Sequence, residues 1–386
     1  MKKLGLYIHI PFCLKKCLYC DFYSLPQGEV PNEYLDALFA QLDEYGLQTA
    51  DYAVDTVFLG GGTPSLLNEK QIDRLFHQLY RDFNVTKKAE VTVEANPGTV
   101  DPKKLKAFRK AGVNRLSLGT QSFCDRDLKV CGRVHDVKEN IAAFSAARKA
   151  GFDNINLDLM FGLPEQSPAD LIGSLNTALK LGAEHISFYG LKVEPGTPFF
   201  ERRDTLPLPD EDTERDMYFV SREMLLQNGY FHYEISNFAK KDRYCRHNIK
   251  YWNGDEYLGI GPAAHSYFAG KRFSFKKDLR LYIDSFSEKG AAESIIDEMI
   301  DIPRASRIGE YVMLRMRLSD GVDLETFHKL FGRDFETLYL PKMEPFIRSG
   351  HIRRTEKGYA FSPEGMYVSN FILARIIDFD MTIPGA

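Results

Sequence analysis

Three cysteines fall within one short run, Cys13-Leu14-Lys15-Lys16-Cys17-Leu18-Tyr19-Cys20, with the spacing C-x3-C-x2-C. Thiolate is the donor that iron–sulfur clusters take. Three of them can hold three irons of a [4Fe-4S] cluster and leave the fourth iron open. An open iron can chelate the amino and carboxylate groups of S-adenosylmethionine (SAM), and one electron from the cluster can then cleave the sulfonium to an adenosyl radical. A fourth cysteine would suit electron transfer instead. The same three cysteines with His9, four residues before Cys13, also form a donor set for structural zinc. On the cysteines alone both readings stand. Tyr7, Phe12, Tyr19, Phe22 and Tyr23 surround the run, where aromatic rings would limit water at an oxygen-sensitive cluster or simply pack the fold.

The other cysteines, Cys124, Cys131 and Cys245, are scattered. A secreted disulfide scaffold would be shorter and richer in cysteine, so the clustered thiols point to metal or redox chemistry in a reducing compartment. The composition, with 44% hydrophobic and 27% charged residues, is that of a globular chain and excludes a largely disordered one. A pI near 6.2 excludes a broadly basic nucleic-acid binder, so no nucleic-acid partner is expected. No apolar run is long enough to span a bilayer. Met1 to Tyr7 reads as a first strand rather than a signal peptide, which makes the cytoplasm the expected compartment.

These residues need a scaffold, and the first half of the chain supplies one by alternation. Strand patterns at Leu4–Ile10, Asp55–Leu59, Glu90–Ala95, Arg115–Leu118, Ile155–Met160 and His185–Tyr189 alternate with helical ones, including an inward stripe of Ile141, Phe144 and Ala147. About six βα units imply a parallel sheet with helices outside it, and its strand-to-helix loops gather at one rim. Cys13, Gly60, Glu94, Gln121 and Asp158 fall on that rim. Periodicity does not separate a barrel from a doubly wound open sheet. Past Leu206-Pro207-Leu208-Pro209, residues 230 to 270 are aromatic-rich with no clear helix. From Ile308 come two or three helices, a hairpin-like His351–Phe361 and a last apolar helix around Phe371–Ile377, which suggests a winged-helix-like module. The expected domains are 1–205, 206–300 and 301–386.

Tyr7-Ile8-His9-Ile10-Pro11-Phe12-Cys13, with the spaced cysteines, resembles the radical-SAM superfamily, and within it the branch of oxygen-independent coproporphyrinogen III oxidases and HemW-type haem chaperones. The resemblance implies an α/β partial (β/α)6 barrel with a C-terminal helical domain. It implies a cluster on Cys13, Cys17 and Cys20, and SAM contacts from Tyr7, Tyr19, Gly61, Gly62, Thr63, Glu94, Gln121, Arg133 and Asp158. These residue types suit SAM: carboxylates accept from a ribose diol and face a sulfonium, and Arg133 suits a methionine carboxylate. On the residues alone, Gly60-Gly61-Gly62 also reads as a structural turn, Glu94 and Asp158 as members of buried ion pairs, and Arg133 as a solvated loop residue.

Two departures separate chaperone from oxidase. The oxidases carry a fourth cysteine two residues past the third, where this chain has Phe22, and they have a longer segment ahead of the first strand. His247-Asn248-Ile249-Lys250-Tyr251-Trp252 matches the HNxxYW motif associated with haem binding in HemW-type proteins. The resemblance therefore implies haem contacts at His247, Asn248, Tyr251 and Trp252, with His247 as axial ligand and Cys245 as its rival. Lys240, Lys241, Arg243, Arg246 and Lys250 would meet propionates or form a solvated stretch. The implied role is a haem chaperone passing haem to an acceptor apoprotein such as a respiratory haem enzyme, with dimerisation on cluster binding and peripheral membrane contact as further expectations. The alternatives are a coproporphyrinogen decarboxylase and a zinc-stabilised binding module.

Overall fold

A computed structural model describes residues 1–286 and 292–377. Residues 378–386 of the expected C-terminal domain, and 287–291 of the middle one, lie outside the described residues. Six strand–helix units open the chain. β1 (Lys2–Ile10) leads to α1 (Asn32–Gln48), β2 (Tyr52–Gly61) to α2 (Glu69–Asp82), and β3 (Val85–Ala95) to α3 (Pro102–Lys110). β4 (Arg115–Gln121) leads to α4 (Asp125–Val130) and α5 (Val137–Lys149), β5 (Ile155–Phe161) to α6 (Pro168–Leu181), and β6 (His185–Gly190) to α7 (Pro198–Glu201) and α8 (Glu211–Gln227). Reciprocal capping boxes, Asn68 with Gln71, Asp136 with Glu139 and Ser167 with Asp170, start α2, α5 and α6.

The six strands are parallel and lie in chain order. Side chains on a strand alternate faces. The outer face is apolar: Leu4, Leu6, Ile8 and Ile10 of β1, Leu116 and Leu118 of β4, and Leu157 and Leu159 of β5 are buried in one core with the helices. The inner face is polar, with Glu94, Arg115, Ser117, Asn156, Asp158 and Ser187 lining a cavity of ≈ 170 Å³.

The segment from 230 to 270, read from sequence as aromatic-rich and short on clear helices, is built of short elements: β7 (Phe231–Glu234), β8 (Asn237–Ala239), α9 (Arg246–Asn253), β9 (Tyr257–Ile260) and β10 (His265–Phe268). Strands this short carry no period that a sequence can display. β11 (Lys271–Phe275), α10 (Leu279–Ser285) and β12 (Ile296–Asp301) follow. All these strands extend one sheet, in the order β12-β11-β10-β9-β1-β2-β3-β4-β5-β6-β8-β7, which has two edges and does not close. The architecture is therefore a partial barrel, and Met217, Leu225, Phe238, Leu258 and Phe275 belong to the same core as β1 to β6. On α5 the inward stripe is Asn140, Ala143, Phe144 and Ala147. Ile141, expected inside, is 38% exposed; buried Asn140 takes the inner position and donates to the Thr120 and Ser122 carbonyls.

The C-terminal part runs α11 (Arg304–Arg315), β13 (Val322–Asp323), α12 (Leu324–Phe331), α13 (Phe335–Arg348), β14 (Ile352–Arg354), β15 (Gly358–Phe361), α14 (Pro363–Tyr367) and α15 (Ser369–Ile376). The sequence helix α11, strand β13, helices α12 and α13, hairpin β14–β15 is the winged-helix order, and the three strands pair as a small antiparallel sheet, β13-β15-β14. Val312, Phe327, Phe335, Tyr339 and Ile372 form a second, separate core. Backbone and side chain tie it to the barrel: Ser319 N donates to Tyr233 O at 3.0 Å, and Arg315 Nη1 to Asn253 Oδ1 at 2.6 Å. No helix among the described residues is long and apolar enough to cross a membrane. Because the cores are separate, Phe327→Ala should destabilise the C-terminal module by about 3–5 kcal/mol. Amide exchange should rise in α11 to α15 and stay unchanged in β1 to β6; equal loss of protection in both would contradict two cores.

Candidate functional site

The cysteine loop leaves β1 and is pinned on three sides. Cys13 N donates to Leu25 O at 2.9 Å and Gly28 N to Cys13 O at 3.0 Å. Leu18 N donates to Cys131 O at 3.1 Å, and Phe199 N to Leu18 O at 3.0 Å. The cysteines are free and half-buried. Thr63 Oγ1 donates to Cys13 Sγ at 3.4 Å, and Arg133 Nη1 to Cys17 Sγ at 3.3 Å. The Thr63 hydroxyl favours the Cys13 thiolate. Burial acts the other way, raising the Cys13 thiol and pushing Cys20 up to about 11. His9 faces elsewhere: its ring nitrogens bond the Tyr7 hydroxyl and the Tyr23 carbonyl, each at 2.9 Å. The fourth donor of the zinc reading is thus committed. Among the described residues no three His, Cys, Asp or Glu side chains converge as the donors of one ion would. Three separated thiols on one loop fit a cluster, whose irons form separate corners.

The glycine turn after β2 lies directly on this loop. Gly62 N donates to Ile10 O at 2.9 Å and Thr63 N to Phe12 O at 2.7 Å. A Cβ on Gly61, at φ 106°, would collide with the His9 ring, and one on Gly62 would sit 2.7 Å from the Phe12 carbonyl oxygen. Only glycine fits either position. With these N–H groups engaged, what the turn can offer a ligand ammonium is carbonyl oxygen. Arg133 is no solvated loop residue. It is half-buried and donates to Gly119 O at 2.7 Å and to Asn96 Oδ1, while Asn96 Nδ2 donates to Thr63 Oγ1 at 2.8 Å. Tyr19 packs beside it against Cys131, Met160 and Leu163. Gln121, at the end of β4, takes a left-handed backbone conformation, φ 61°.

Glu94 and Asp158 line the lumen together with Tyr7. Gly61 N donates to Glu94 Oε2 at 3.2 Å, and Asn156 Nδ2 to Asp158 Oδ1 at 2.7 Å. Neither carboxyl makes an ion pair among the described residues, so the buried-ion-pair expectation does not hold. Burial, then the Asp158 charge, pushes Glu94 up to about 8; burial also raises Asp158. Two neighbouring acids with no ion pair of their own, and with the Arg115 charge acting on them only at a distance, are a site for a cationic ligand. Tyr7 and Glu94 also line an outer pocket of ≈ 430 Å³ beside Phe22, Tyr23, His265 and Lys277. Phe22 itself is 64% exposed and screens little.

The HNxxYW run forms α9, which plugs the foot of the lumen. Glu90 on β3 accepts from Arg246 N and His247 N, each at 3.0 Å. His247 is fully buried, and both ring nitrogens are engaged, Nδ1 with Thr56 Oγ1 at 2.9 Å and Nε2 with Tyr251 Oη at 2.8 Å. Its ring stacks on Phe58, and burial lowers its pKa to about 3. His247, Asn248 and Tyr251 line the lumen. Trp252 lies apart, under the Arg317 guanidinium and beside Glu234. The four expected haem residues share one helix but not one open face. Cys245 is buried and donates to Glu90 at 3.7 Å, with its thiol raised to about 12. Lys250 forms a buried ion pair with Asp55 at 2.8 Å.

Sequence reasoning missed Asn96, which joins Arg133 to Thr63, and the lumen residues Arg115, Ser117, Asn156 and Ser187. A signal was present. Polar residues two apart inside apolar strands, Arg115 and Ser117 or Asn156 and Asp158, mark a shared inner face.

Residues 7–178 match the family model of the radical SAM superfamily, and residues 302–368 that of the HemN C-terminal domain. The chain is 37% identical to "Heme chaperone HemW" of Bacillus subtilis (strain 168), covering 96% of this chain and 98% of that one. It is 35% identical to "Heme chaperone HemW" of Escherichia coli (strain K12), covering 96% and 97%. Among solved structures, coproporphyrinogen III oxidase (HemN) from Escherichia coli, described as a radical SAM enzyme, matches with a TM-score of 0.86 at 26% identity, covering 99% of this chain and 91% of that one.

Two measurements test the site. Cys17→Ala should lose most iron and sulfide after anaerobic reconstitution; full retention would remove Cys17 as a ligand. SAM affinity of the reconstituted protein should rise with pH up to about 8 and then level, because below that value a cationic ligand must displace the Glu94 proton. Glu94→Gln should abolish the slope and weaken binding about tenfold or more, as expected for a lost charge-assisted bond. Equilibrium dialysis across this range decides it.

Proposed function

The chain belongs to the HemW family of the radical-SAM superfamily, and from that premise we propose that it is a cytoplasmic haem chaperone that holds a [4Fe-4S] cluster, SAM and haem and passes the haem to an acceptor apoprotein. The observation that carries this reading is 37% identity to a relative named heme chaperone over 96% of the chain. The His247-Asn248-Ile249-Lys250-Tyr251-Trp252 run on α9 supports it.

Cys13, Cys17 and Cys20 hold the cluster, and Thr63 and Arg133 steady two of the thiolates by donating to sulfur. The cluster supplies an open iron for SAM and an electron. Arg133, held by Gly119 and Asn96, orients a carboxylate near Cys17. Glu94 and Asp158 face the cationic and ribose parts, Tyr7 closes the wall between the lumen and the outer pocket, and Gln121 and Tyr19 flank the same rim.

Haem binds at α9. For His247 to ligate iron, a ring nitrogen must give up its bond to Thr56 on β2 or to Tyr251 on α9 itself, and freeing the nitrogen that faces Thr56 requires α9 to draw away from the lumen. That movement frees the Tyr251 and Trp252 rings for a porphyrin face. The acceptor is a haem-dependent respiratory enzyme in the same reading, reached as a dimer or by peripheral contact with a membrane. The likeness to a coproporphyrinogen III oxidase, TM-score 0.86, favours decarboxylation as the second reading.

Haemin titration of the reconstituted protein should give a saturable Soret shift, weakened about tenfold or more in His247→Ala (~1.4 kcal/mol). Melting curves run in parallel separate loss of ligand from loss of fold. Unchanged affinity removes His247 from the reading. Protoporphyrinogen formed from coproporphyrinogen III with SAM and reductant overturns it in favour of the oxidase.

A further inference from the structure

Arg115 opens β4, is 2% exposed, and turns into the ≈ 170 Å³ chamber of the lumen. Its Nε has no hydrogen-bond partner, and no hydrogen bond or ion pair to its guanidinium occurs among the described residues. No acid nearby pairs with it, although the Glu90 and Asp158 charges act on it from a distance, and Glu94 on the same wall accepts from Gly61 N. Glu90 accepts from Arg246 N, His247 N and Cys245 Sγ, and Asp158 accepts from Asn156. His247, the other basic side chain on the chamber wall, is held neutral. Ser117, Ser187, Tyr189 and Asn248 add hydroxyl and amide groups to the same wall. An ionised guanidinium out of water is unfavourable unless an anion meets it, and its planar fork matches a carboxylate.

We infer that this chamber is a binding site for a carboxylate group, held by Arg115 with Asn248 and Ser117 beside it. It is distinct from the place expected for the carboxylate of SAM. Arg133 reaches Gly119 and Cys17 at the rim, whereas Arg115 lies four residues deeper on β4, about 13 Å along the strand. The chamber admits a short carboxylate chain but no macrocycle. The outer ≈ 430 Å³ pocket shares Tyr7, Glu94 and Tyr251 with it, so a larger molecule enters by one arm. Two sources offer this chemistry: a free short alkanoate, or a propionate arm of a porphyrin. The second rests on the haem reading above.

The test uses the full chain with its cluster reconstituted. Propionate should raise the melting temperature and broaden its own NMR signal, and propionamide should do neither. Haemin should bind about tenfold or more tighter than its dimethyl ester. Arg115→Met should erase both differences while keeping its iron; because that variant can fail to fold, the acid–amide and acid–ester comparisons on the unaltered chain decide alone. Propionate binding without haemin binding keeps the chamber, assigns it to a free alkanoate, and removes the porphyrin reading. Haemin and ester binding alike, with propionate and propionamide equally inert, overturns the chamber, which then holds water, and leaves the haem reading standing.

Discussion

Glu90 ties the first turn of α9 to the middle of β3, and the interior of the barrel depends on that tie. A helix begins with backbone N–H groups that have no partner within it, and its dipole makes that end positive. The Glu90 carboxylate meets both demands at Arg246 N and His247 N. The inner face of the six parallel strands is polar, unlike the apolar layers that fill a closed barrel. Such a face needs a cover that carries hydrogen-bonding groups of its own. α9 is that cover: it brings His247 to Thr56, Tyr251 to His247, and Asn248 to the chamber wall. With Glu90 occupied in this way, Arg115 is left facing the lumen without an acid of its own.

The same clamp sets the relation between the rim and the foot. From Asp158 a run of hydrogen bonds passes through Asn156, His185 and Tyr233 to the backbone of Cys245, the residue that precedes α9. Its polarity is fixed along its length. Asn156 spends its amide hydrogens on Ser117 and Asp158, so its carbonyl accepts from His185 Nδ1. His185 Nε2 must then accept from the Tyr233 hydroxyl, whose oxygen accepts from Cys245 N. Burial holds His185 well below its usual range, so the neutral form this run requires is the one present. A displacement of α9 therefore breaks a bond whose far end is the lumen carboxyl that faces the rim.

Chemistry concentrated in adjacent residues was legible in the sequence. The cysteine loop, the glycine turn and the βα alternation are local patterns, and local patterns survive in one dimension. Of the C-terminal part the sequence showed helices and a hairpin, but not that Phe327 of α12 meets Phe335 and Tyr339 of α13 in a core of their own. What stayed hidden depends on pairings across the sheet. β7 to β10 are three or four residues long and take their places from neighbours far away in sequence. Ile141 misled because an amphipathic stripe ranks residues by apolarity, whereas the helix turned Asn140 inward to satisfy two carbonyls of the β4 end. His247 was legible as a motif and illegible as an environment. Nothing in its own segment announces Thr56 or Phe58.

That environment bears on how a buried imidazole could serve as a ligand. Iron binds the neutral ring. In its seat His247 is kept neutral by burial first, then by the Lys250 and Arg115 charges, at a pKa of about 3. Released to water, it would return to about 6.5 and remain largely neutral at pH 7. Protonation is therefore not the barrier to ligation in either state. The barrier would be the bonds to Thr56 and Tyr251 together with the Glu90 clamp: the Tyr251 bond lies within α9 and holds the ring, whereas the Thr56 bond and the Glu90 clamp hold the helix to β2 and β3. Access to Nδ1 is consequently a property of α9 as a unit, set by how firmly β3 grips its first turn, whereas access to Nε2 depends on the Tyr251 ring within the helix.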